Sequence, residues 1–189
     1  APTADWLTSL NHYRAMAGLP PVSERTDWTQ GERDHAKYLV LNGVMTHDEL
    51  PGTAGYTAAG DEAAGSGNVA VDSRPGVTDR NFVEEWIRGP FHAIGLLRPS
   101  LRQTAFGSYS DASAPTWRSA ATIDVLRGID RSVGRPTAPV LFPGDGTTIA
   151  LTTMSGNESP DPRSFCGWSG TLGFPVLAMF PTEPGVVSA

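Results

Sequence analysis

The sequence predicts an α+β fold, with helices packed on an antiparallel sheet. Three features point that way. The first hundred residues hold segments whose apolar residues recur at helical spacing. Residues 103–126 hold two short strand-like stretches joined by a polar turn. Beyond residue 134 the apolar runs are short, separated by Pro and Gly, and show no helical period. Helices first and strands later suit helices on one sheet better than alternating βαβ units.

The elements follow in order. Residues 5–17 carry Trp6, Leu10, Tyr13 and Ala17 on one helical face, and Gly18 with Pro20 and Pro21 stops the helix. A second helix is expected over 27–41, with Asp27 as N-cap, Gln30 as its capping-box partner and Gly43 as the C′ glycine. Residues 46–78 are rich in Gly, Ala, Asp and Ser without a sustained period. They read as a long structured loop with one helical turn, a kind of segment that is usually functional. Asp79 is expected to cap a third helix carrying Phe82, Val83, Trp86 and Ile87, which ends at Gly89-Pro90. A short helix over 91–97 follows. Strands are expected at 103–108 and 117–126.

The composition shifts near Arg127, which suggests a main domain over residues 1–130 and a small β-rich extension over 131–189 packed on it. The extension's apolar runs are Val140-Leu141-Phe142, Ile149-Ala150-Leu151 and 176–180. At roughly 55 residues it is marginal as an independent fold, so it is expected to dock on the main domain.

The 39% hydrophobic and 18% charged residues of this 189-residue chain suit a globular protein with a sizeable core. With 14 Lys and Arg against 20 Asp and Glu, the net charge of −6 argues against nucleic acid or an anionic membrane as the main partner. No apolar run approaches the ~20 residues needed to span a bilayer. The single cysteine, Cys166, excludes an internal disulfide and has no CxxC partner, so it is expected to be a buried structural thiol. The start at Ala1-Pro2-Thr3-Ala4 is what a mature chain shows after signal-peptide cleavage, and secretion is the expectation.

Two histidines stand out. His92 follows the break forced by Pro90, where a side chain can face a cleft, and His47 lies in a loop-like segment beside Asp48 and Glu49. Histidines flanked by carboxylates can bind a metal or move a proton. The plain alternative makes His92 a helix cap and His47 a solvated loop residue. His12 and His35 fall inside helical segments and read as core or second-layer histidines. Ser66 lacks the strand-turn-helix surroundings of a nucleophile elbow.

Four motifs in order give the chain a family likeness. Leu10-Asn11-His12-Tyr13-Arg14 is followed by Gly18-Leu19-Pro20-Pro21-Val22. Asp34-His35-Ala36-Lys37-Tyr38 is followed by Asn42-Gly43 and Thr46-His47. Then come Gly65-Ser66-Gly67-Asn68-Val69-Ala70 and the segment 86–99. Over residues 5–126 the chain resembles a bacterial member of the CAP superfamily, which groups cysteine-rich secretory proteins, antigen 5 and plant pathogenesis-related proteins. The resemblance implies a three-layer α-β-α sandwich, an extracellular setting and a cavity lined by two His and two Glu, which binds zinc or another divalent cation in several members.

The histidines of that tetrad correspond to His47 and His92, but its two glutamates correspond to Gly67 and Gly89. Glu85, one turn before Gly89, and Glu62, in the loop before Gly67, are the candidates to replace them. His47 and His92 with one such carboxylate and a water would make a tetrahedral zinc site. With both acids displaced, the expected role is binding of an extracellular ligand or protein rather than catalysis, which needs a positioned acid or base. The rivals are a metal-dependent hydrolase acting on extracellular or cell-wall peptides, with Glu62 or Glu85 as base, and a lipid or sterol carrier.

Overall fold

A computed structural model of the chain describes residues 5–154, 158–165 and 167–180. Five helices, α1 (Asp5–Met16), α2 (Thr29–Asn42), α3 (Ala58–Ala64), α4 (Asp79–Arg88) and α5 (Pro90–Leu96), surround a sheet of β2 (Gly67–Asp72), β5 (Ser119–Asp124) and β4 (Phe106–Ser110). Strand order is β2-β5-β4 and both pairings are antiparallel, with Val69 opposite Thr122 and Gly107 opposite the same Thr122 from the other side. A parallel two-residue pair, β1 (Ser23–Glu24) with β3 (Gln103–Thr104), lies apart from it.

The central strand shows why the architecture has three layers. Every residue of β5 is buried, so both faces are covered. Ala121 and Ile123 join the cluster built from Trp6, Leu10, Phe82, Trp86 and Phe106, which belongs to α1, α4 and β4. Ala120 joins Ala36, Leu39, Val40 and Val69 on the α2 side. The period of two along a strand thus sends alternate residues into two cores, the α-β-α sandwich expected. Thr122, on the α2 face, donates from Oγ1 to Glu32 Oε2 at 2.7 Å.

Several boundaries differ from the sequence reading for local reasons. Trp28, not Asp27, is the N-cap of α2 and makes no side-chain cap bond. Asp27 is instead taken by Arg25, whose Nη2 lies 2.6 Å from its Oδ2. Thr78 rather than Asp79 caps α4, its Oγ1 accepting from Asn81 N at 3.2 Å. Gly43 does close α2, in the left-handed conformation at φ 65° with its N–H turned to Leu39 O. The segment 103–108 divides at Ala105 into β3 and β4, which serve different sheets. The loop 46–78 contains α3 and β2, elements too short and too small in their side chains to show a period.

The stretch between α2 and α3 is pinned by buried groups. His35 Nδ1 meets Glu49 Oε1 at 3.0 Å with both side chains fully buried, and His35 Nε2 meets Thr46 O at 3.0 Å. Glu49 Oε2 accepts from Thr57 N at 2.9 Å. His35 is therefore a core histidine, as its helical position suggested.

Arg14 is also fully buried, and it spends its guanidinium on four carbonyls: Pro20 O at 3.0 Å, Leu96 O at 2.6 Å, Arg98 O at 3.2 Å and Leu101 O at 3.1 Å. It fastens α1 to the turn behind it and to the end of α5.

The tail lies on α1. Its strands β6 (Val140–Phe142) and β7 (Leu177–Met179) pair antiparallel. Phe142 is fully buried, edge-on to Tyr13 with centroids 6.3 Å apart and to Phe174 at 5.9 Å. Phe142 and Leu151 belong to the same core cluster as α1 and α4. Residues 149–151 form no strand, although Leu151 is buried; a single bridge joins Thr153 to Gly173. A short 3-10 helix (Pro162–Phe165) interrupts the β character. Cys166 lies outside the described residues.

Candidate functional site

The site begins at the break between α4 and α5. Gly89 is extended at φ −97° and ψ 120°, and Pro90 opens α5 at a position where its missing N–H costs nothing. The turn is tied to the sheet. Trp86 Nε1 donates to Val69 O at 3.2 Å, and Asn68 Nδ2 donates to His92 O at 3.1 Å. A helix start leaves orphan N–H groups, and α5 has no cap from its own first residues.

The cap comes from the tail. Glu158 Oε2 accepts from Phe91 N at 2.7 Å, Glu158 Oε1 accepts from His92 N at 3.3 Å, and the same oxygen meets His92 Nδ1. The Glu158 side chain is 1% exposed and that of His92 22%. A carboxylate already accepting two backbone N–H groups acts as the acceptor towards the ring as well, so in the neutral ring this contact favours the proton on Nδ1 and leaves Nε2 as the acceptor. Among the described residues no hydrogen bond reaches Nε2.

Beside this pair lies a cavity of about 900 Å³ over β2 and α4, whose wall includes Val71, Glu85, Trp86, His92, Trp117 and Glu158. Two carboxylates of its lining are ion-paired, Asp72 Oδ2 to Arg74 Nη2 at 2.6 Å and Glu84 Oε1 to Arg80 Nε, outside the lining, at 2.8 Å. The hydrogen bond from Arg74 holds the Asp72 carboxyl below the usual carboxylate range. Tyr13, whose hydroxyl donates to Glu84 Oε1 at 3.4 Å, is pushed up to about 12 by burial first and by Glu84 second.

Of the four residues singled out in the sequence, His92 and Glu85 share this cavity. His47 lies on the exposed loop after α2, its Nδ1 donating to Ala64 O at 3.2 Å, and it is not among the lining residues. Both histidines are nevertheless fastened near the start of β2, His47 through Ala64 and His92 through Asn68. Glu62 is 66% exposed and turned to Arg127, 3.6 Å from its Nη1. Neither Glu62 nor Glu85 is the carboxylate that meets His92.

Glu158 is the residue sequence reasoning missed. One signal for it existed, since Gly89 leaves an empty place beside His92 that an acid from elsewhere can fill. A Cβ at Gly89 would stand 2.6 Å from Glu158 Cδ and closer still to Oε1. Gly67, the other position without its acid, is closed by backbone. A Cβ there would come within 2.9 Å of the carbonyl carbon of Ile123 on β5, and nearer its oxygen.

A zinc site needs three or four such ligands around one point. Among the described residues no three of His, Cys, Asp and Glu are grouped so as to hold a metal ion. The expected grouping of His47, His92 and a third carboxylate is thus not assembled among the described residues, although the contact of Nδ1 with Glu158 leaves His92 Nε2 open to a metal. A buried acidic group elsewhere is structural. Glu32 and Asp124 share the guanidinium of Arg127, and burial pushes Glu32 up to about 8.

An extracellular protein containing an SCP domain from Bacillus anthracis str. Ames has a similar chain path with a TM-score of 0.48 and 16% identity. The match covers 65% of this chain and 39% of that one, so this chain spans well under half of that protein's length. An outer surface protein from Borrelia burgdorferi gives a TM-score of 0.42 at 17% identity, covering 64% of this chain and 89% of that one. Among curated proteins none matches. No helix among the described residues is long and apolar enough to cross a membrane. A model of the cysteine-rich secretory protein family, the CAP domain, matches residues 7–118, more than half of the sequence, and the chain belongs to that family.

Proposed function

We propose that the chain is a secreted binding protein whose cavity over β2 and α4 receives a polar ligand or an extracellular protein segment. The observation that carries this reading is the cavity itself. It places a fixed imidazole nitrogen beside aromatic surface at Trp117 and charged groups of α4. A cavity lined by several charged and polar groups beside apolar and aromatic wall suits recognition of a polar partner. Membership of a family described as secretory proteins supports an exported role. A lipid or sterol carrier fits less well, because Asp72, Arg74, Glu84 and Arg88 at the cavity would have to be desolvated against an apolar tail.

One observation favours a second reading. The His92–Glu158 pair is the base-and-orienter half of a hydrolytic centre. It lacks the other half, since no nucleophile contacts Nε2 among the described residues. One experiment separates the two. Amide shift changes on titration with peptides and cell-envelope fragments should concentrate on 69–72, 81–92 and Trp117, without turnover of the fragments. Changes scattered elsewhere would sink the binding reading, and cleavage abolished by His92→Ala would replace it with the hydrolase.

A further inference from the structure

We propose that Glu158 is the positioning residue for His92, and that the C-terminal extension is thereby a working part of the site and not an appendage beside it. The inference rests on the binding reading above for its purpose, but on geometry alone for its content. Glu158 reaches the site from 66 residues beyond His92 in sequence and arrives almost fully buried. A carboxylate is costly to bury unless its oxygens are satisfied. Here they are, by two backbone N–H groups and by the ring.

The place it occupies is shaped for it. Any residue larger than Gly at position 89 would put its Cβ into the carboxylate. The tail's anchor is separate: Phe142 and Leu151 sit in the main core, and Gly144 N donates to Met16 O at 2.9 Å. That anchoring lets a single side chain be delivered at a fixed point. The consequence for the ring is a tautomer. With Nδ1–H donating to Glu158, Nε2 is left as the hydrogen-bond acceptor of a residue that lines the cavity, suited to a ligand that offers N–H or O–H groups. Without the carboxylate, the ring has no reason to keep its proton on Nδ1.

The test reads that proton directly and needs no ligand, so it stands or falls apart from the binding reading. Long-range proton–nitrogen correlation spectra of histidine-labelled protein, at a pH where the rings are neutral, give each tautomer. His92→Gln assigns the signal among the four histidines. In the wild type His92 should show a protonated Nδ1 and a bare Nε2. In Glu158→Ala the pattern should invert towards the Nε2–H form that free histidine favours. Gly89→Ala, which displaces the carboxylate while leaving Glu158 in the chain, should do the same and covers the case in which Glu158→Ala does not fold. A wild-type His92 protonated on Nε2 would overturn the proposal, as would a tautomer unchanged in either variant. Changes confined to stability, with the tautomer intact, would make Glu158 a helix cap and nothing more.

Discussion

Replacing Gly89 by Ala is a small change with a specific cost. Its φ of −97° is open to any L-residue, so backbone strain is not the issue. On its own, Gly→Ala at a permissive position stabilises by about 0.4–1 kcal/mol through the unfolded chain. The new Cβ would stand 2.6 Å from Glu158 Cδ and 3.0 Å from Cγ, so the side chain must swing out. The carboxylate then gives up Phe91 N, His92 N and His92 Nδ1. Hydrogen bonds to a charged group contribute about 1.5–3 kcal/mol each. The bond at 3.3 Å is long, and water from the cavity can reach the freed N–H groups, so about 2–3 kcal/mol in all is reasonable.

Gly89→Ala should therefore lower stability by roughly 1.5–2.5 kcal/mol, a fall in Tm of roughly 4–8 °C for a domain of this size. In a Glu158→Ala background the obstacle is gone, and the same substitution should be neutral or stabilising by up to ~1 kcal/mol. Chemical denaturation of the four proteins gives the coupling energy, expected at about 2–3 kcal/mol. Additive effects within about 0.5 kcal/mol would refute the reasoning, because they would mean that Gly89 and Glu158 do not compete for one space.

Three further outcomes follow from other parts of the structure. Arg14→Met should cost roughly 3–5 kcal/mol by denaturation, since four carbonyls lose their donor at once, and Arg14→Lys should restore only part of it. Burial raises Glu32 to about 8, so the folded state binds more protons than the unfolded state between about pH 4.5 and 8, and stability falls as pH rises through that window. Glu32→Gln should flatten the fall, and parallel pH profiles of the two proteins would show that Glu32 is ionised in the fold. Zinc titrated by calorimetry should give no stoichiometric tight binding to the wild type, whereas tight binding that disappears in His92→Ala would restore the metal centre.

What the sequence showed of the fold followed the strength of the local signal. The helical stripes of Trp6, Leu10 and Tyr13, and of Phe82, Val83, Trp86 and Ile87, lie in the core as their spacing required. The start of α2 differs from the sequence reading because Asp27 has a competing partner two residues away in Arg25, and a side chain does not serve both a cap and a guanidinium. Strand β2 escaped notice for a different reason. Its residues Asn68, Ala70 and Asp72 are small or polar, and its stability comes from six cross-strand partners on β5 that no local pattern encodes.

The site was legible only up to the limit of local reasoning. His92 could be found because Pro90 forces a break in the chain, and a break is a property of adjacent residues. Sequence spacing fixes geometry only over about one helical turn or a short loop, which is why it points to Glu85 and Glu62 as carboxylate partners. Glu85 does reach the cavity, but Glu62 is held at the surface by Arg127. The acid that meets His92 depends instead on how a tail of Pro-punctuated short strands docks on α1, through Phe142 against Tyr13. Gly89 links the two levels. Read along the chain it is a missing acid, but in three dimensions it is the space through which an acid from another part of the chain enters.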